Sequence, residues 1–309
     1  MKLQSVKKTF KVKEWNLLFL FIRFWMAAIV TISFGVSNIA LSQETQSSNH
    51  QSNTGATPVL TAVTPSSSQS TRRLAIQTSF GFSTNLAELN SLENSSNLDL
   101  EISPQYTLNS KQSITGSFSV SKELQGEQTL SLINDAVIVF SQKGPAIGKN
   151  ISSGISLQET IPLSKDSRER DSLLSSVTIR PGLSLKTKYG NFGYKLGITR
   201  HLHAFTSTTY GKSNFKWGLG NSLSYGTQFT EKLGFSLSLS FNNAWTYLGA
   251  LSQNFSGVEE LSYDVSSAAA VSIGHRNAGS AIKADGVTSN LEIFNSNNSI
   301  IYTSFSYNF

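Results

Sequence analysis

Cysteine does not occur among the 309 residues. That removes disulfides, thiolate nucleophiles and thiolate-held metals, and it fits an exported chain that avoids stray disulfides. Charge is scarce, with Asp, Glu, Lys and Arg at 14% of residues, and proline occurs only six times. No long apolar helix is expected beyond the N-terminal segment, and no helix of amphipathic period follows residue 72. The formal charge of +6 is also misleading. Residues 1–42 hold six of the 25 basic and one of the 19 acidic residues, so the remainder carries 19 and 18. A nearly neutral remainder offers no clustered basic face, and no nucleic-acid partner is expected.

What is present begins with an export pattern. Lys2, Lys7, Lys8, Lys11 and Lys13 precede an apolar run from Leu17 to Val36 interrupted by Arg23, with Ala40 and Ser42 placed for cleavage before Gln43. Residues 1–42 therefore read as a signal peptide. The other reading is an uncleaved anchor, since about 20 residues can span a bilayer. Residues 43–72 are rich in Ser, Thr, Asn and Gln, with little apolar surface to offset the entropy of ordering. They are expected to form a disordered leader, or a segment that folds back as a plug.

From Arg73 to Phe309 the pattern is of period two, broken by turn residues. Leu74, Ile76, Phe80 and Phe82 mark a first strand, and Leu98, Leu100, Ile102, Tyr106 and Leu108 a second in which Pro104 predicts a bulge. Ile114 to Val120 gives a third. A fourth is expected over about 129–141, where Val137-Ile138-Val139-Phe140 blurs the alternation, and a fifth from about Asn150. Clear alternation returns in 177–186, 192–199, 215–225 and 233–241. Tenth and eleventh strands are placed at about 261–273 and 280–293, before a final one over 299–309. Twelve strands are predicted, with tight turns at one end (189–191, 230–232, 274–279) and longer connections at the other (84–97, 164–172, 245–258). The polar face of these strands is mainly Gly, Ser, Thr and Asn. A soluble sandwich would crowd that face with long charged side chains, whereas small uncharged residues suit an enclosed lumen.

The final strand sets Ile301, Thr303, Phe305, Tyr307 and Phe309 on one face and ends on an aromatic residue. This ending resembles that of Gram-negative outer-membrane β-barrel proteins, a broad porin-like class. The resemblance implies an all-β, antiparallel transmembrane barrel with periplasmic N- and C-termini. It also implies an outer-membrane location among lipids, and Phe305, Tyr307 and Phe309 as the signal read by the barrel assembly machinery. Even strand number, short periplasmic turns and long outer loops agree with that class.

Catalytic patterns are poor. Of the four histidines, His201 and His203 share one strand face, but no third ligand follows by spacing; His50 lies in the leader and His275 in a predicted turn. No enzyme activity and no cofactor are expected. The informative signal is charge with inward parity: Asp99 and Glu101 on the second strand, and Arg180, Lys186, Lys195 and Lys216 on the sixth to eighth. Acids and bases across one lumen would create a transverse field that tunes selectivity, or would pair and seal the interior. The expected function is a porin-like channel for passive diffusion of small polar or ionic solutes. The alternatives are a closed barrel acting as surface adhesin or structural envelope protein, and a hydrolase.

Overall fold

A computed structural model describes residues 73–86, 95–124, 131–282, 289, 290, 294 and 299–309. The predicted signal peptide and leader lie outside the described residues. Among the described residues thirteen strands are formed: β1 (Leu74–Asn85), β2 (Ser96–Asn109), β3 (Gln112–Glu123), β4 (Ser131–Ile133), β5 (Ala136–Ala146), β6 (Ile151–Ile161), β7 (Leu173–Thr187), β8 (Gly190–His203), β9 (Phe215–Gln228), β10 (Leu233–Thr246), β11 (Leu251–Asp264), β12 (Ala269–Ser280) and β13 (Ser299–Asn308). Each pairs antiparallel with its neighbours, and pairing of β1 with β13 and of β2 with β3 closes the sheet on itself. Among the described residues only the short β4 keeps an unpaired side that could template aggregation.

β4 and β5 both pair with β3 and share one place in the wall, so the barrel is twelve-stranded. Val120 faces Ile133 and Ser117 faces Val137, which puts one extra residue on the β4–β5 side, at Asn134–Asp135. A bulge of one residue reverses the side-chain alternation. This explains the blurred fourth strand: Val137 and Val139 join the inner wall, while Ile138 faces outward and is 43% exposed.

The turns at one end are all short, at 110–111, 147–150, 188–189, 229–232 and 265–268, and the chain terminus lies at that end too. At 188–189 the Tyr189 amide donates to Thr187 Oγ1, and Gly190 takes φ +142° with no room for a Cβ against the Gly226 carbonyl. Connections at the other end are longer, except 247–250. Apart from β4, strands run from 10 to 15 residues, enough to cross a bilayer at a tilt.

Four expectations need correction. The predicted tenth strand, 261–273, straddles the β11–β12 turn at 265–268, and the predicted eleventh, 280–293, begins where β12 ends. The turn has no Gly, Pro or Asn; the Ser266 hydroxyl instead accepts from the Ala268 and Ala269 amides. Gly274 and Gly279, read as turn residues, lie within β12. The expected loop over 245–258 shrinks to 247–250, because β11 begins at Leu251. Pro104 makes no bulge: β2 keeps its register with β1 through Ile76↔Pro104, and Gly116 on β3 leaves the ring space.

Candidate functional site

Alternation assigns every strand residue to one of two walls. The outer wall is apolar and exposed, with Phe80, Leu100, Phe118, Ile155, Leu157, Ile179, Ile198 and Ile273 each 38–52% accessible. Aromatic side chains gather toward its two ends: Trp217 and Trp245 near the long connections, and Tyr225, Phe229, Phe235, Tyr263, Tyr307 and Phe309 near the short turns. Such belts mark the two interfaces of a membrane. Among the polar residues of the outer wall, Asn221 accepts a hydrogen bond from Tyr194 Oη at 2.7 Å. Phe305, Tyr307 and Phe309 also face outward, at 44%, 37% and 62% exposure. The Phe309 amide donates to the Ile76 carbonyl at 2.9 Å, which seams the last strand onto β1.

The inner wall is built of hydroxyls, amides and glycines. Ser272 and Ser304 share a hydrogen bond of 2.7 Å, and Thr178 and Thr199 one of 2.9 Å. The charges expected there from parity stand in two groups on this wall. Asp99 accepts from Ser121 Oγ at 2.6 Å, and Glu101 accepts from Ser103 Oγ at 2.8 Å and Ser117 Oγ at 2.7 Å. Their carboxylates are held by hydroxyls and not by cations, so both charges remain unneutralised by any described neighbour within salt-bridge distance.

On β7 and β8, Arg180 Nη1 donates to Gln158 Oε1, and its chain lies against Gly197; Lys195 extends past Gly182. A Cβ at Gly182 would crowd the Lys195 stem at 3.1 Å, whereas one at Gly197 would only touch Arg180 at 3.7 Å. Lys186 is exposed near the short-turn end. Lys216 stands at the outer end of β9, where the register with β10 shifts between Trp245 and Thr246. In the ring of twelve, β2 lies opposite β9 and one place from opposite β8. The acids and bases picked out by parity thus stand on facing sides of the barrel, not beside each other.

Sequence reasoning missed a second acidic position. Glu260 on β11 takes inner parity between Ser236 of β10 and Gly274 of β12, and it is only 4% exposed. Tyr302 Oη donates to its Oε2 at 2.9 Å, while the Tyr302 ring lies flat over Gly274, leaving no space for a Cβ. Arg276 follows on the same wall of β12. The signal was present, since Glu260, Ser262 and Val258 alternate with Leu261 and Glu259, but it is readable only once β11 is placed at 251–264.

His201 and His203 sit together on the inner side near the outer end of β8, with ring centroids 6.1 Å apart. Among the described residues no group of three or more His, Asp or Glu gathers to hold a metal. His275, expected in a turn, is in β12 on the outer wall, with Nδ1 3.5 Å from Glu259 Oε2. At the outer end, Asp135 accepts from the Leu163 and Ser164 amides at 3.0 and 2.8 Å and from the Ser167 hydroxyl, fixing the β6–β7 connection. Arg170 in that connection binds Asp166 at 2.9 Å and Asp171 at 2.8 Å, and the hydrogen bond with Asp171 holds its guanidinium pKa above the usual value against the opposing effect of burial. Asn214, 3% exposed, ties this connection to the next by donating to the Asp171 and Phe205 carbonyls at 2.8 and 2.9 Å.

No protein-family model matches the chain, and no characterised protein matches it in sequence. Solved structures do. An outer membrane channel from Pseudomonas putida F1 superposes with a TM-score of 0.56 at 9% identity, covering 79% of this chain and 97% of that one. The NanC porin gives a TM-score of 0.48 at 8% identity, over 75% of this chain and 98% of the porin. At such identities the likeness is one of architecture, and the chain has the fold of the outer-membrane β-barrels.

Proposed function

We propose that the chain is an outer-membrane channel of a Gram-negative envelope, allowing passive diffusion of small polar or ionic solutes. One observation carries this reading: a closed twelve-stranded wall is apolar outside and hydroxyl- and glycine-lined inside, with unneutralised acids on β2 opposite bases on β8. About eight strands are filled by their own side chains and 16–18 leave a wide channel, so twelve is of intermediate bore. The fold shared with the Pseudomonas putida F1 channel supports the same function. Asp99, Glu101, Arg180, Lys186 and Lys195 are the residues proposed to set ion preference; Lys216, expected with them from its parity, is bulged at the end of β9 toward the Tyr247 ring instead. No reaction is assigned.

On this reading residues 1–42 direct export, residues 43–72 lead into the barrel, and the outward Phe305, Tyr307 and Phe309 are engaged during assembly. Small polar solutes, membrane lipids and the assembly machinery are then the partners. Single-channel recording in planar bilayers is the test. Discrete conductance steps are expected from the refolded chain; a barrel that migrates as heat-modifiable yet never raises the conductance would overturn the channel function.

A further inference from the structure

The outer wall carries a cation that has no acidic partner among the described residues. Arg200, near the outer end of β8, lies on the lipid-facing side with Ile198 and Leu202, which are 46% and 44% exposed. Its guanidinium stacks on Trp217 at 4.7 Å from the ring centroid, stands 5.8 Å from the Tyr247 centroid, and donates through Nη1 to the Lys216 carbonyl at 3.2 Å. Lys216 Nζ lies 5.9 Å from the same Tyr247 centroid. The β9 register shift at this point adds Lys216 as an extra residue between Trp217 and Phe215, which face Trp245 and Thr246. Bulges re-aim side chains, and this one brings a second cation to the ring that Arg200 already touches.

The Tyr247 ring is itself fixed, its Oη donating to the His201 carbonyl at 3.4 Å and its edge meeting the His203 ring 5.9 Å away. Its amide donates to the Asn214 carbonyl at 2.9 Å, and Asn214 is the buried residue that ties two outer connections together. Among the described residues no carboxylate lies within 4 Å of Arg200 or Lys216. Two cations are therefore held on an aromatic platform at the height of the outer aromatic belt, without a counter-charge. A guanidinium among lipid-facing side chains is costly unless an anion meets it, and its planar fork matches phosphate.

We propose that Arg200, Lys216, Trp217 and Tyr247 form a docking site for the phosphate group of an outer-leaflet glycolipid. The proposal rests on the membrane placement given above. Trp217 meets the glycolipid at the sugar–acyl boundary, the two cations hold the phosphate, and Ile198 and Leu202 lie along the acyl chains. A solute anion at the channel mouth shares the chemistry, but it would gain nothing from the apolar neighbours on the outer wall.

The test is native mass spectrometry of the full chain refolded in detergent, titrated with bisphosphorylated lipid A, dephosphorylated lipid A or inorganic phosphate. Preferential retention of the phosphorylated lipid is expected. Arg200→Gln with Lys216→Gln should weaken it roughly tenfold to a hundredfold, as expected for lost charged hydrogen bonds. Arg200→Lys, which keeps the charge but not the fork, should fall between. Lys188→Gln removes a lysine 4.6 Å from a tyrosine ring at the opposite end of the barrel and should change nothing. Equal retention of both lipids, undiminished binding by the double variant, or displacement of the lipid by millimolar inorganic phosphate overturns the proposal. Heat-modifiable migration of each variant, measured alongside, separates loss of the site from loss of the barrel. A wild-type chain without heat-modifiable migration would overturn the membrane placement and this site with it.

Discussion

Gly274 is the inner-wall position where one added methyl does most harm. The Tyr302 ring covers it and, from there, donates to Glu260, so ring position and carboxylate satisfaction are a single arrangement. Gly274→Ala pushes the ring off its seat, at a cost of about 1–3 kcal/mol typical of overpacking. The expected result is a lower urea midpoint for the refolded barrel. Gly226→Ala on β9, where an added Cβ would meet nothing nearer than the Phe235 carbonyl at 4.0 Å, should leave the midpoint within error. A variant Gly274→Ala of unchanged midpoint would show that the ring has another place to go. Parity alone found Asp99, Glu101, Arg180 and Lys195, because each interrupts a long run of small polar residues on a strand with clean alternation. It could not find the Glu260–Tyr302 bond. That contact joins residues 42 positions apart through a register that no single strand encodes.

Elements differ in how plainly they announce themselves. β1, β2, β7–β10 and β13 alternate without interruption, and their placement followed from that. β11 and β12 were displaced because the turn between them is made by the Ser266 hydroxyl, whereas Gly274, which looks like a turn residue, serves close packing inside a strand. The β4–β5 bulge was legible as disturbed alternation, but its purpose was not. It presents Asp135 to the β6–β7 connection, which closes on that carboxylate and on the buried Asn214. Asp135→Ala should therefore loosen residues 162–172 and leave the barrel intact. Trypsin cleavage after Arg168 or Arg170 is expected to quicken about tenfold, consistent with the loss of hydrogen bonds to a charged group. Cleavage at the wild-type rate would mean that Asn214 and the Arg170 ion pairs hold the connection unaided.

For the whole molecule, the placement of β2 opposite β8 and β9 follows from closure and strand order, which no local pattern reports. The resulting field across the lumen has a sign that can be tested. Arg180→Gln with Lys195→Gln should move the reversal potential in a salt gradient toward cation preference, and Asp99→Asn with Glu101→Gln toward anion preference. Each shift should be roughly twofold in permeability ratio, because lumen charges act largely through water. Both shifts should shrink as salt rises from about 0.1 M to 1 M, where the screening length falls from ~10 to ~3 Å. Shifts that survive at the higher salt would point to direct ion binding instead of a distributed field.

The reversed alternation at Asn134–Asp135 has a further effect on how the interior is wetted. Val137 and Val139 form a dry stripe on a wall that is otherwise hydroxylated. Ser117 and Thr115 of β3 flank the valines on one side and Thr160 and Gln158 of β6 on the other, so the dry stripe is one strand wide between hydrogen-bonding neighbours. A permeant with one greasy edge can turn that edge to the valines while keeping the rest of its shell, and so travels with a preferred rotation about the barrel axis.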